Sequence, residues 1–598
     1  MDLDCLAFDR WATDFSAGWV RANPLAATVT QYFAGEEQDA LDRRLALVTA
    51  YGDTIGAEAT RARAALARRG LEELAAFSRD GLDAGRRTSA AMIERRLRDA
   101  VANAQFAENR FIFTQFGGLH ASLATFLTTL HPLRSHRDAE NYVERLSQMA
   151  GCLDQGIAEA AKAPAPPRFI LERTIAQVDR MTGGEARENA LVTTLERATA
   201  AEAGPLVDRA AEIVAGEILP ALLRVRVLLE RQLGGATDEA GASRLPDGEA
   251  FYRQQLAVFT GSSKTPEEIH AIGLREVARI EGEMDAVLRK LGHESGSVEE
   301  RVTSLNARIA DGRTGDVREK IVAELRGLVD DAVRRSGAVF NLRPVAPVTV
   351  EREPMHSEAT AAAHYTMPAA DGSKPGIYWV PLAELGPSVP WLGIGMKSTA
   401  YHEAVPGHHF QLAIQQEVTA LPQFRKRGAY GYDASFGEGW ALYAEHLAAE
   451  FDWYEDDLAG RLGYLEMQLF RARRLVVDTG LHAFGWTRQQ AIDYGLSVPE
   501  VERYAVWPGQ ACAYMLGQMR ILEMRERARA RLADRFSLTA FHDVVLGNGS
   551  LPLDVLARVV DEPEEPRSEI LSSLQRPADL IRTDDDAGRH CIRADELE

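Results

Sequence analysis

The sequence predicts a mainly α-helical fold carrying one small antiparallel β-sheet, and three observations lead to it. Apolar residues recur at three- and four-residue spacing from Glu36 to about Leu229, and the chain reads as helical again from Pro390 to about Leu551, which is the mark of helices with one buried face. Short β-branched and aromatic runs between Pro and Gly turns occur in one stretch only, from Ala338 to Leu385. Composition is that of an ordinary globular chain: 46% of the 598 residues are hydrophobic and 26% charged, enough for one large helical body or two to three packed subdomains.

Taken in order, EEQDALDRRLALVTAYG and AAMIERRLRDAVANAQF show the helical spacing well. APAPP at 163–167 and GGATDEAGASRLPDG at 234–248 are connectors rich in Pro, Gly and small polar residues. The second divides the chain into an N-terminal helical region, 1–233, and a second region, 249–561, followed by a polar, acidic tail, 562–598. Thr265-Pro266-Glu267-Glu268 opens a long helix running through about Leu291, with Thr265 as N-cap, Pro in the first turn and Glu268 completing a capping box. PVTVERE, AAHYTMPA and GIYWVPL supply the sheet, at about 338–385.

A formal net charge of −20, with basic residues scattered among acidic ones, argues against a nucleic-acid partner, because phosphate binding needs a basic face. Cys5, Cys152, Cys512 and Cys591 are too far apart for a thiolate metal site or a redox pair. The N-terminus has no apolar export segment, and no apolar run is long enough to span a bilayer. The expectation is a cytoplasmic protein with no membrane partner.

The chemistry lies in Tyr401-His402-Glu403-Ala404-Val405-Pro406-Gly407-His408-His409, a stretched relative of H-E-x-x-H, in which two His one helical turn apart chelate zinc and the Glu polarises a water. On an unbroken helix residues six apart stand about 240° apart around the axis and about 9 Å along it, so His402 and His408 would share no ion. His409 returns to nearly the face of His402 but about 10.5 Å further on, too far for two bonds of about 2.0–2.1 Å. The helix must be interrupted. Pro406 has no N–H for the His402 carbonyl and its ring clashes there, while Gly407 permits backbone angles closed to other residues. A bulge over Val-Pro-Gly then brings His408 beside His402, with His409 as the alternative second ligand.

A catalytic zinc needs a third ligand. In Phe436-Gly437-Glu438-Gly439-Trp440, Glu438 opens a helix after a Gly-containing loop and is the candidate. Glu445 lies two turns further on the same face, where it can orient a ligand imidazole.

The segments HEAVPGHHFQ, FGEGWALYAE, RARRLVVDTGLHAFGWTRQQA, RYAVWPGQACAYMLGQMRILEMRERA and GNGSLPLDVL, with LPDGEAFYRQQLAVF and TPEEIHAIGLREV upstream, resemble the large bacterial domain-of-unknown-function family numbered 885. The match runs in order from about residue 245 to 556. That family in turn resembles the all-helical gluzincin peptidases, the clan of thimet oligopeptidase, neurolysin and angiotensin-converting enzyme. The resemblance implies zinc, a Glu third ligand, two helical halves flanking a deep channel, and a small sheet lining the cleft.

Auxiliary candidates follow. Asp478 and His482 stand four apart on one helical face, so Asp478 could hold His482 as a donor to a developing oxyanion. Tyr514 is a second possible oxyanion donor, and Arg503 with Tyr504 could bind a substrate carboxylate, a role for which guanidinium is suited. His409 joins Asp478 and Glu445 among the supporting groups. His120, His356 and His446 read as structural or surface residues.

The expected reaction is hydrolysis of a peptide or small amide, with one zinc ion acidifying a water and Glu403 moving its proton to the leaving amine. The alternatives are an amidohydrolase or lyase acting on a small metabolite, and a metal-binding scaffold without catalysis.

Overall fold

The computed structural model describes residues 3–47, 55–199, 204–311, 318–353, 358, 362–369, 372, 374–382 and 394–562. The C-terminal tail from 563 on, His356 and Cys591 lie outside the described residues. The fold is mainly α, as the periodicity requires, with one three-stranded sheet.

Local signals set several boundaries. The helix Pro266–Lys290 starts on the expected capping box: the Thr265 hydroxyl accepts from the Glu268 N–H and the Glu268 carboxylate accepts from the Thr265 N–H. Both expected connectors separate helices, the first lying between Ala160 and Arg168 and the second between Leu233 and Gly248. Elsewhere tertiary contacts prevail. The helix expected to run on through EEQDALDRRLALVTAYG stops at Asp42, where the buried Arg145 guanidinium takes the carbonyls of Leu41 (2.9 Å) and Arg44 (3.1 Å). Those acceptors then serve Arg145 instead of another helical turn.

Buried apolar side chains form one large cluster, in which Phe8, Trp19, Met92 and Leu97 pack with residues from Ala242 to Val560. A second cluster lies within residues 25–229. A smaller third one joins Phe169 and Ile170 to Val477, Leu481 and Tyr504. Cys5, Cys152 and Cys512 are buried free thiols, and no described helix is long and apolar enough to cross a membrane.

The sheet comprises β1 (Val348–Arg352), β2 (His364–Thr366) and β3 (Gly376–Val380), in the order β1-β3-β2. The antiparallel arrangement expected from sequence holds for β2 and β3 only, because β1 runs parallel to β3. The reason lies in the connection after β1. Glu358 accepts two bonds from Arg352 (2.7 Å each) and a third from the Leu382 N–H (2.8 Å), tying the crossing chain to the far end of β3. β2 therefore pairs on the outer edge of β3 instead of folding back on β1.

Candidate metal centre

The helix bearing His402 spans Met396–Glu403, and a second helix starts at His408 and ends at Glu417. Between them Ala404 (φ −104°, ψ −98°) and Gly407 (φ −79°, ψ −124°) leave helical geometry, and the Val405–Pro406 peptide is cis. Gly407 is required by space, since a Cβ there would come within 1.9 Å of the His402 carbonyl oxygen. The Trp440 indole N–H donates to the Pro406 carbonyl (2.9 Å), fastening this bulge to the helix Ala434–Glu450 that carries Glu438.

That helix is fixed at its start by Asp433, which caps the Phe436 N–H (2.9 Å) and pairs with Arg96 (3.0 Å). Its flank is pressed backbone to backbone against the helix Ala513–Leu532. A Cβ on Gly439 would come within 2.5 Å of the Gly517 carbonyl carbon, and one on Gly517 within 2.1 Å of the Ser435 oxygen.

The outcome is convergence. Glu438 Oε2 lies 3.5 Å from His402 Nε2 and 3.6 Å from His408 Nε2, and the ligand atoms of the three residues all fall within 4.8 Å of one another. Two donors bound tetrahedrally to one ion at about 2.0–2.1 Å stand roughly 3.4 Å apart, so a His₂Glu donor set fits a zinc-sized divalent cation.

The remaining ring nitrogens face outward. His402 Nδ1 donates to Glu445 Oε1 (2.8 Å), and the other Glu445 oxygen accepts from the Ser398 hydroxyl. This pins the tautomer that leaves the Nε2 lone pair for a ligand. His408 Nδ1 lies 3.5 Å from Gln411 Oε1. Burial opposes a charge on His402, but Glu438 and Glu445, helped by Glu403, outweigh it and raise its pKa to about 10. Burial likewise opposes ionisation of Glu438, yet hydrogen bonding to His402 and His408 holds its pKa well below the usual carboxylate range. Glu403 is buried and its pKa is raised, first by burial and then by the charge of Glu438, against the attraction of His402 and His408.

The sheet lies against this group: Tyr378 of β3 and His364 of β2 both feel the Glu403 charge. His409 belongs to the sheet side. Its Nδ1 accepts from the Tyr365 hydroxyl (2.8 Å), and burial lowers its pKa to about 4. Of the two alternatives for second ligand, the structure brings His408 to the convergence.

The auxiliary candidates divide. Asp478 does not pair with His482. It accepts from the Tyr252 hydroxyl (2.6 Å) and the Gly509 N–H (3.1 Å). His482 is buried, with Nδ1 accepting from the Ala242 N–H (2.9 Å) and Nε2 donating to the Tyr504 carbonyl (3.1 Å). Burial lowers its pKa to about 4, and neither nitrogen is left to donate to a substrate oxygen. Tyr504 is likewise internal, its hydroxyl donating to Glu500. Arg503 donates to Gln510 (2.6 Å) and to the Tyr514 hydroxyl (3.3 Å). His120 is buried against Gln177 and His446 hydrogen-bonds Tyr464, both as structural residues.

The sequence reading passed over Tyr432, whose hydroxyl lies 3.5 Å from Glu438 Oε1 and whose surroundings include Tyr514 and Glu403. It also passed over Ser398 and Arg471, the latter 3.8 Å from Glu445. These partners come from separate elements and leave no local pattern. Gln411, three residues after His408 on the same helix, was findable from helical spacing.

The model of a bacterial protein family of unknown function, DUF885, matches residues 42–560. A presumed lipoprotein from Colwellia psychrerythraea of known crystal structure is 30% identical, the match covering 92% of this chain and 98% of that one with a TM-score of 0.82. Another, of unknown function, from Shewanella oneidensis is 17% identical over 93% of this chain and all (100%) of its own, with a TM-score of 0.69, which is a likeness of fold. No curated protein matches.

Proposed function

The chain belongs to the bacterial DUF885 family, and from that premise we propose that it is a metal-dependent hydrolase of the gluzincin-like peptidase type, cleaving amide bonds in peptides. The observation that carries this reading is the convergence of His402 Nε2, His408 Nε2 and Glu438 Oε2, backed by a carboxylate on the outer nitrogen of His402. A merely structural cluster has no need of Glu403 beside it.

His402, His408 and Glu438 would hold the ion, with zinc the best match to the donor set. When bound, zinc supplies a Lewis acid that polarises the scissile carbonyl and acidifies a water. Glu403 accepts the water proton at its carboxylate and returns it to the amine nitrogen as the C–N bond breaks. Burial raises its pKa above the ordinary carboxylate value, the direction that makes a carboxylate a better proton acceptor. Glu445 and Ser398 keep His402 in one tautomer and one orientation. Tyr514, whose oxygen accepts from Arg503, is the candidate O–H donor to a developing oxyanion. A cytoplasmic setting is the reading of the N-terminal sequence, and the likeness to a lipoprotein is the observation that opposes it. Cell fractionation tests that part, and recovery with the envelope would overturn it.

The test is elemental analysis of purified protein, followed by digestion of a peptide library with and without chelator. One bound divalent ion per chain and chelator-sensitive peptide cleavage are expected. Turnover of amino-acid amides without peptide cleavage would move the assignment to a small-metabolite amidohydrolase. Stoichiometric metal with no hydrolysis on either panel would reduce it to a metal-binding scaffold.

A further inference from the structure

The helix Leu458–Ala483 carries Arg471 and, one turn later, Arg474. Arg471 reaches Glu445, the carboxylate that orients His402. Residues three apart on a helix have Cβ atoms about 5–6 Å from each other, so Arg474 stands within one turn of the residues supporting the metal centre.

Arg474 is 4% exposed and shares a buried cluster with Arg503, Glu500 and the nearby Asp478. Glu500 accepts from Arg474 Nη2 (2.9 Å), lies 3.5 Å from Arg503 Nη1, and takes the Tyr504 hydroxyl as well. One carboxylate thus serves two guanidiniums. Arg474 Nε and Arg503 Nε are buried N–H donors without a hydrogen-bond partner, while the Arg474 guanidinium also bonds the Tyr514 side chain. Leaving such donors unpaired carries a substantial free-energy penalty, and buried unpaired donors in a folded protein call for a physical cause.

The surroundings are those of an anion subsite. The Arg474 guanidinium lies 4.3 Å from the Phe470 ring centroid and 4.4 Å from that of Tyr514. Arg503 lies 5.2 Å from the Phe116 ring and 5.9 Å from that of Trp507. These rings lie against the two planar guanidinium groups. Phe116 and Trp507 also line an apolar cavity with Phe251 and Phe259, and Phe116 is 39% exposed, so one wall reaches solvent. Tyr514 receives the Arg503 N–H on one side and neighbours Tyr432 on the other, whose own hydroxyl lies 3.5 Å from Glu438 Oε1.

Resting on the hydrolase reading above, we propose that Arg474 and Arg503 receive the C-terminal carboxylate of a peptide substrate, so that cleavage proceeds from the carboxyl end. A guanidinium binds carboxylate through paired N–H donors in one plane, which matches the unpaired groups present.

The test uses the full chain and one hexapeptide, prepared as the free acid and as its C-terminal amide. With zinc-loaded protein, stepwise shortening of the peptide from its carboxyl end is expected. Amidation should lower kcat/KM at least about tenfold, and Arg503→Gln should bring the acid down to the level of the amide. Arg503→Lys should fall between, since it keeps charge without the planar fork. A second readout needs no turnover: calorimetric titration of metal-free protein with an N-acetyl dipeptide and with its amide. Binding of the acid alone, lost in R503Q at unchanged Tm, sustains the carboxylate site even where no peptide is hydrolysed, and in that case only the hydrolase reading falls. Equal cleavage and equal binding of acid and amide, or cleavage restricted to the amino end, would overturn the proposal.

Discussion

His402 and His482 are both buried imidazoles on helices, both with a carboxylate on the same helix-derived framework, yet they stand in opposite physical situations. His402 gives one nitrogen to Glu445 and turns the other toward Glu438 and His408. His482 spends both nitrogens on backbone groups, at Ala242 and Tyr504. Carboxylates raise the pKa of the first to about 10, whereas burial lowers that of the second to about 4. What separates a ligand from a structural histidine is therefore the destination of its second nitrogen. Burial and proximity to an acid in sequence do not distinguish them.

The comparison is broken most forcefully at Glu403. Replacing it with Gln should leave metal content and Tm unchanged while kcat for peptide cleavage falls by about 10²–10⁴-fold. Retained turnover would remove the proton-transfer role. Next come the partners of the two histidines. Glu445→Gln should weaken zinc affinity by about 10–100-fold in a competition titration with a chromogenic chelator. His482→Ala should leave that affinity alone and instead cost roughly 2–3 kcal/mol in chemical denaturation, as two buried hydrogen bonds are lost. The reverse pattern would exchange the roles assigned here.

The convergence of His402 with His408 was legible because Pro406 and Gly407 announce a break between two His that no continuous helix could bring together. Glu438 and Glu445 were legible for a related reason, since two turns along one helix is a distance that local geometry fixes. The same argument failed for Asp478 and His482. Helical spacing puts them within reach of each other but does not decide between that contact and better donors from elsewhere, and Tyr252, Gly509 and Ala242 took the groups instead. Tyr504 was misjudged in the same way, its hydroxyl drawn inward by Glu500. Strand content was legible from β-branched and aromatic runs, but strand order was not, because Glu358 acts between two points distant in sequence. The mainly helical fold was read directly, apart from terminations such as that at Asp42, which depend on Arg145 a hundred residues away.

A smaller effect concerns pH. Burial pushes Asp478 up to about 7 from an ordinary value of 3.8, although Tyr252, Gly509 and Cys512 all donate to it. A carboxyl whose pKa is raised on folding binds its proton more tightly in the native state. Its contribution to stability is thus present below about pH 4 and is lost as pH rises to about 7. Asp478→Asn, which does not titrate, should gain on the wild type by up to a few kcal/mol between those limits in chelator-treated samples, and a pH-independent difference would contradict this. Smallest of all, Tyr365→Phe removes the bond to His409 and should lower stability by about 1 kcal/mol with zinc affinity unchanged. Loss of metal in that variant would bring His409 back as a ligand.

The central claim is a place in space, and anomalous diffraction from zinc-soaked crystals of the full chain tests it most directly. One strong peak is predicted about 2.0–2.2 Å from His402 Nε2, His408 Nε2 and a Glu438 oxygen, with Glu445 still bonded to His402 Nδ1. A peak at His409 or His482, or none with these three side chains turned apart, would contradict the account.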